Sequence, residues 1–153
     1  MKKLLLILLC LPMIGLGQEK GCIKGNCING YGTYYYDEYS GRHYEGEWKD
    51  SLRHGQGTLV LLGEKYIGEW NSGSRDGKGI CYYNSPTGNY EGEWKNNERH
   101  GNGTMSGDYG YSYTGEWKNG QRYGKGTEIC CEGADGPVIT TNGFWKEDEF
   151  IGE

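Results

Sequence analysis

The stretch Tyr44-Glu45-Gly46-Glu47-Trp48-Lys49 alternates rings and glycine with charged side chains, residue by residue. A period of two is typical of a β-strand that packs one face and exposes the other to water. The stretch Gly55-Gln56-Gly57-Thr58-Leu59, a few residues later, has the same period. We therefore predict that the two stretches pair as an antiparallel hairpin.

A turn near residues 50–53 fixes the register that we expect for this hairpin. The residues that it brings opposite each other on the packed face are Trp48 with Gly55, Gly46 with Gly57 and Tyr44 with Leu59. The glycines would leave room for the large rings, which explains why residues poor for strands recur in them. On the other face, the same register in later copies pairs opposite charges, Glu69 with Lys78 and Glu116 with Lys125.

The hairpin pattern recurs four times along the chain. Gly-Glu-Trp recurs at spacings of 22, 24 and 23 residues, and each tyrosine precedes the first glycine of a Gly-x-Gly by 11. The interval from that Gly-x-Gly to the next tyrosine varies: 11, 13 and 12 residues. The repeat positions are Tyr44, Gly46, Trp48, Gly55, Gly57, Tyr66, Gly68, Trp70, Gly77, Gly79, Tyr90, Gly92, Trp94, Gly101, Gly103, Tyr113, Gly115, Trp117, Gly124 and Gly126.

This pattern, Tyr-x-Gly-x-Trp followed by Gly-x-Gly, resembles the MORN repeat. Four full copies run from residue 44 to about 128, with half-copies at 30–43 and 142–153, so we assign 30–153 to the repeat array. The resemblance implies an all-β fold: an antiparallel β-meander of stacked hairpin repeats that forms an elongated single-sheet solenoid. At about 4.8 Å per strand the array would be about 50 Å long.

The N-terminus predicts export. Met1-Lys2-Lys3 is followed by an apolar run and by the small residues Gly15 and Gly17, which is typical of a signal peptide over 1–17 that is cleaved before Gln18. The apolar run is shorter than the roughly 20 residues that cross a membrane. We therefore expect no transmembrane anchor in the mature chain, a periplasmic or extracellular location, and a cap segment at 18–29.

The charge balance limits the classes of partner. Removing Lys2 and Lys3 with the signal peptide takes the formal net charge from −5 to −7. Such a chain has no basic footprint for nucleic acid, and it repels anionic lipid headgroups.

The ionisable residues follow the repeat and not a catalytic pattern. His54 and His100 hold one repeat position, just before Gly-x-Gly, and a catalytic histidine has no reason to follow that register. We expect the two histidines to serve the turns, and we expect no catalytic residue, no cofactor and no metal site.

A row of carboxylates is expected to form a solvated face: Glu47, Glu69, Glu93 and Glu116. Four arginines form either a solvated ladder beside the turns or a row of cations for an acidic partner: Arg53, Arg75, Arg99 and Arg122.

Five cysteines remain after Cys10 is removed with the signal peptide. Cys22 and Cys27 are close enough in sequence to close a small disulfide loop, which an exported chain favours. Cys81 lies about 19 Å, two repeats, from Cys130, so it is expected to be a free, packed thiol. Cys130 and Cys131 either form a vicinal disulfide or lie reduced on opposite faces of a strand.

These features predict an exported interaction scaffold and not an enzyme. The resemblance implies contact with another protein and, for some members, phospholipid. The alternative is a glycan or cell-wall binder, because a row of Tyr and Trp suits stacking on sugar rings. Exposure distinguishes the two: buried rings are core, whereas open ring faces favour sugar binding.

The variable intervals predict where partner specificity lies. The interval fixed at 11 indicates a turn set by packing, whereas the returns between repeats differ in length. Variable loops on a rigid scaffold commonly carry recognition. Tyr109 and Tyr111, in the return over 106–112, are our candidate binding residues; neutral drift of unselected turns is the alternative.

Overall fold

The computed structural model describes residues 20–84, 88–131 and 136–153, with Cys131 as backbone only. The described strands form one antiparallel sheet in which each strand pairs with the next along the chain, so the predicted all-β meander is confirmed. The predicted signal segment 1–17 and parts of two returns, 85–87 and 132–135, lie outside the described residues. The strands are β1 (Gly21–Gly25), β2 (Gly30–Tyr35), β3 (His43–Lys49), β4 (Leu52–Leu61), β5 (Glu64–Asn71), β6 (Ser74–Tyr83), β7 (Asn89–Lys95), β8 (Glu98–Ser106), β9 (Ser112–Lys118), β10 (Gln121–Cys131), β11 (Val138–Lys146) and β12 (Glu149–Gly152).

A two-residue turn joins the strands of each Tyr-Trp hairpin. Between β3 and β4, Asp50 and Ser51 have φ angles of 51° and 64°. Two successive positive φ angles are typical of a type I′ turn, whose twist matches that of the paired strands. The same pair of positive angles recurs at 72–73, 96–97, 119–120 and 147–148. The fixed sequence interval thus corresponds to one turn geometry.

Part of the predicted register is confirmed. Gly46 lies opposite Gly57, and Tyr44 lies opposite Leu59. These pairs lie beyond a bulge in β4, on the side away from the tight turn. The packed face of the hairpin therefore carries the residues that the alternation predicted.

Near the turn the predicted register is wrong. Trp48 lies opposite Arg53 and not opposite Gly55, because the turn uses only two residues and the surplus bulges out at Gly55 and Gln56. Gly55 instead lies opposite Trp70, on β5 of the next repeat. The glycine is therefore still paired with a tryptophan, but with the one in the neighbouring hairpin.

Equivalent bulges in β6 and β10 overturn the predicted charge pairs, Glu69 with Lys78 and Glu116 with Lys125. Lys78 lies opposite Glu93 of the following hairpin. Within its own hairpin, the Glu69 carboxylate accepts a hydrogen bond from the main-chain N–H of Lys78 at 2.9 Å. The contact is therefore between a side chain and the backbone, and it stabilises the bulge.

The core is a row of rings on one face of the sheet. Tyr66 meets Trp70 of its own strand at 5.2 Å between centroids and Trp94 of the next hairpin at 5.3 Å, both edge-to-face. Edge-to-face pairs contribute beyond the area that they bury. Such contacts form one unbroken chain of rings, in the order Trp48, Tyr44, Trp70, Tyr66, Trp94, Tyr90, Trp117, Tyr113, Trp145 and Phe150.

The tyrosine of each repeat explains the glycines around it. A Cβ atom on Gly68 would lie 2.7 Å from the hydroxyl of Tyr66, and one on Gly79 would overlap the same ring. The hydroxyl donates a hydrogen bond to the main-chain oxygen of Glu69 at 3.1 Å. The ring therefore covers a pair of glycines in adjacent strands, and a side chain at either position would displace it.

Candidate interaction surfaces

The aromatic row is closed to ligands. Trp70, Trp94 and Trp117 are 3%, 4% and 5% exposed, and the tyrosines between them are fully buried. Their faces and edges contact neighbouring rings and arginine side chains. By the exposure criterion, the rings are core and do not form a stacking platform for sugars.

The arginine row is part of this core. The guanidinium of Arg99 lies 4.5 Å from the Trp117 centroid and donates a hydrogen bond to the main-chain oxygen of Gly120 at 2.5 Å. Both partners belong to the next hairpin. Arg53, Arg75 and Arg122 repeat the stack and the bond to the following turn. The expectation of a solvated ladder is wrong, because stacking on tryptophan half-buries these side chains.

Two of the four arginines also form ion pairs. Arg75 pairs with Glu64, and Arg122 pairs with Glu128 and, at 3.3 Å, with Asp148. Stacked, half-buried guanidinium groups are poorly placed to meet an acidic partner. The arginine row therefore holds neighbouring repeats together.

The repeated carboxylates hold the bulges. Glu93 accepts a hydrogen bond from the main-chain N–H of Asn102 at 2.9 Å, across its own hairpin. This bond satisfies an N–H that the bulge takes out of the strand ladder. The equivalent bonds have lengths of 2.8–2.9 Å and run to Glu47, Glu69 and Glu116. The four carboxylates thus stabilise the bulges through the backbone, in addition to the exposure to solvent that we expected.

The two histidines lie at equivalent bulge positions. His54 is opposite Glu47, and His100 is opposite Glu93. Both are half-buried and follow the repeat, as the sequence register predicted.

The cysteines divide into a bonded pair and free thiols. Cys22 and Cys27 form a disulfide with an S–S length of 2.05 Å. Cys81 is free and buried, as expected, and burial raises the pKa of its thiol to about 11. Cys130 is also free, which does not fit the vicinal disulfide; the side chain of Cys131 lies outside the described part of the chain.

The two candidate binding tyrosines have different environments. Tyr109 is 72% exposed, in a 3-10 turn over Asp108–Gly110, and has a φ of 55°. Tyr111 is half-buried and packs against the ring core, and burial raises the pKa of its phenol. Of the two, Tyr109 alone offers its ring to a partner.

The face opposite the rings carries an apolar patch that sequence analysis missed. Val60, Ile67, Ile80 and Tyr82 lie on this face of β4–β6, and we call them the isoleucine patch. Ile67 is opposite Ile80, whereas Lys65 lies between Val60 and Tyr82. Ile67 and Tyr82 are 39% and 40% exposed. Leu62, 75% exposed, continues the apolar surface onto the return between β4 and β5.

Two depressions meet at this patch. One of about 460 Å³ is lined by both isoleucines, Lys78, Glu91 and Glu93, among others. The other, about 290 Å³, is lined by Val60, by Tyr82 and by Lys65 between them, and it extends to the return. The patch is therefore a grooved apolar surface with Lys65 within it and other charged residues at its border.

A signal for the patch exists in the sequence. Ile67 stands between Tyr and Gly, where the other copies have Glu45, Glu91 and Thr114. Ile80 follows Gly-x-Gly, where the other copies have threonine. Both isoleucines break the polar alternation at positions that the strand period assigns to solvent. Comparing copies on the polar face, and not only on the packed face, would have found them.

Comparison with known proteins agrees with this repeat geometry. The MORN repeat family matches five consecutive segments, which together make up more than half of the chain: 20–40, 44–61, 66–85, 90–109 and 113–134. The first match begins inside the segment assigned to the N-terminal cap. No curated protein matches the chain. On its repeats and its sheet, the chain belongs to the MORN repeat family.

Proposed function

We propose that the protein is an exported, non-catalytic scaffold that binds another protein through the isoleucine patch. MORN repeats are commonly scaffold modules that bind proteins or membranes. The observation that carries the proposal is the patch itself, an exposed apolar surface with a charged border. Surfaces of this kind mark protein interaction sites.

The charged border defines the chemistry of the partner. Glu91 forms no hydrogen bond or ion pair among the described residues, and Glu93 uses one oxygen to hold its bulge. Lys78 lies opposite Glu93, whereas Lys65 lies within the patch, between Val60 and Tyr82. A partner segment with apolar side chains beside a lysine or arginine would bury the isoleucines and pair with Glu91.

The absence of catalysis is supported by what the ionisable groups already do. Stacked guanidinium groups and bulge-binding carboxylates are committed to the architecture. A catalytic group needs access to a reacting atom at hydrogen-bond distance. The groups that remain free on the patch border suit recognition.

Export is supported by two separate features. Segment 1–17 has the order of a signal peptide, and disulfides such as Cys22–Cys27 persist mainly in oxidising compartments. Sequencing the N-terminus of the native protein by mass spectrometry tests this part: we expect Gln18 first, and retention of Met1 would contradict export.

Lipid and glycan binding have less support. Among the described residues, no helix is long and apolar enough to cross a membrane. Without Lys2 and Lys3 the formal net charge is −7, against −5 for the whole chain, and it repels anionic headgroups. The buried rings of the core, such as Trp94 at 4% exposure, leave no face for a sugar.

Site-specific crosslinking tests the surface. A photoreactive phenylalanine at position 67 would lie in the patch, one at 109 would replace the exposed return tyrosine, and one at 114 would occupy the equivalent strand position two repeats away. We expect the same partner to be crosslinked from 67, and more weakly from 109, but not from 114. Equal capture from 67 and 114 would contradict the proposal.

A further inference from the structure

The first hairpin lacks the tyrosine that the next four hairpins have. In the later copies a tyrosine hydroxyl covers the second glycine of Gly-x-Gly, as Tyr90 covers Gly103. The equivalent glycine in β2 is Gly32, and β1 reads Gly-Cys-Ile-Lys-Gly. Another group must therefore cover Gly32 if the ring chain is to begin there.

Cys27 takes the place of that ring. A Cβ atom on Gly32 would lie 2.8 Å from the sulfur of Cys27, which is 8% exposed and bonded to the exposed Cys22. The carbonyl of Gly32 accepts the indole N–H of Trp48 at 3.1 Å. Trp94 makes the same bond to Gly79 at 3.1 Å. The disulfide thus covers the glycine that anchors the first ring of the chain.

Trp48 depends on this cover more than the other tryptophans do. It is half-buried, whereas the next three are at most 5% exposed. Ile28 occupies the position that arginine holds in later copies, so among the described residues no guanidinium stacks on Trp48. The segment after Cys27 also holds the first tight turn, because Ser51 donates its N–H to the Ile28 oxygen at 2.9 Å.

We propose that the Cys22–Cys27 disulfide acts as a cap on the first end of the ring chain, because it covers Gly32, and that reduction of the disulfide opens this cap. A thiolate of a dithiol reductant attacks the accessible Cys22 sulfur, Cys27 leaves as a thiolate, and the second reductant thiol closes its own disulfide. Two electrons and two protons pass to the protein, which gains two thiols. Cys27 is then no longer tethered to β1, water reaches Gly32, and β1–β3 open before the rest of the array.

Hydrogen exchange of the purified protein, with and without dithiothreitol, tests the cap. After reduction we expect amides of β2 and β3 to exchange about tenfold faster, while those of β9 stay unchanged. The internal comparison is between Trp48 on β3 and Trp117 on β9, which hold the same repeat position. Unchanged exchange in β2 and β3, or an equal rise in all strands, would overturn the proposal.

A Cys22→Ser variant separates the cap from other effects of the reductant. It leaves the Cys27 side chain in place but removes the tether. We expect β2 and β3 of this variant to exchange as fast as in the reduced protein, with no further response to dithiothreitol. A variant as well protected as the oxidised protein, or one that still responds, would show that the tether is not the cap.

Discussion

The guanidinium carbon of Arg53 lies 4.2 Å from the centroid of the Trp70 ring, which belongs to the next hairpin. The same arginine donates a hydrogen bond to the main-chain oxygen of Gly73, at 2.6 Å, in that hairpin's turn. One side chain thus joins adjacent repeats by stacking and by hydrogen bonding. The rings lie between the sheet and a row of guanidinium groups, which closes the core of a single-layer protein.

Arg99→Lys should weaken this junction, because lysine keeps the charge but loses the planar stack and the bond to Gly120. We expect the free energy of unfolding in urea to fall by about 1–2 kcal/mol. Lys95→Ala, an exposed change in the same hairpin, is the matched control and should cost under about 0.5 kcal/mol. Equal losses for the two variants would show that the stack contributes little.

Truncating a ring should cost more in the middle of the array than at its end. Trp94→Ala removes a buried ring with two tyrosine partners, and we expect a loss of about 3 kcal/mol or more. Trp145→Ala should be milder, because the buried indole N–H of Trp145 has no hydrogen-bond partner among the described residues. Thermal melting measures both, and equal losses of Tm would contradict a nearest-neighbour array.

Stability should fall steeply in alkali. Burial raises the pKa of Tyr113 to about 12 from its ordinary value of 10.0, so the folded protein holds a proton that the unfolded chain releases. The contribution is complete below pH 10 and is lost as the pH rises to about 12. We expect the free energy of unfolding to fall between about pH 10 and 12, and to fall less in Tyr113→Phe. Parallel curves for the two proteins would count against this account.

The Cys81 thiol should be inert until the protein unfolds. It is fully buried, and burial raises its pKa to about 11, so little reactive thiolate forms near neutral pH. We expect iodoacetamide at pH 8 to label the half-buried Cys130 first and Cys81 only in urea, as read by peptide mass spectrometry. Equal labelling of Cys81 with and without urea would contradict the packing described.

The alternation of residues was sufficient to predict the sheet and its packed face. Gly46 opposite Gly57 follows from a period of two, because side-chain direction in a strand is set by parity alone. Turn length was the weak point. The sequence at 50–53 does not reveal that Asp50 and Ser51 both take positive φ angles, and this choice moves Trp48 from Gly55 to Arg53.

The roles of the charged residues were not predictable from pairwise spacing. From the sequence, Arg53 is interpreted as a cation beside a turn. The ring on which it stacks, Trp70, lies 17 residues later, in the next repeat. Glu93 reads as a solvated carboxylate, because its partner is a main-chain N–H freed by the bulge. Interactions between repeats and with the backbone leave no residue-type signature in one copy.

The most direct test of the proposed function is the affinity of the crosslinked partner for an Ile67→Thr/Ile80→Thr variant, measured by calorimetry. Threonine is the residue that other copies hold at the position of Ile80, and Thr114 holds the position of Ile67, so the fold should be kept while the apolar surface is lost. We expect binding to weaken at least about tenfold, with Thr127→Ala, at the equivalent position of the fourth copy, as a control that should not weaken it. Binding by the double variant within about twofold of the wild type, with both proteins folded, would contradict the claim that the isoleucine patch is the partner surface.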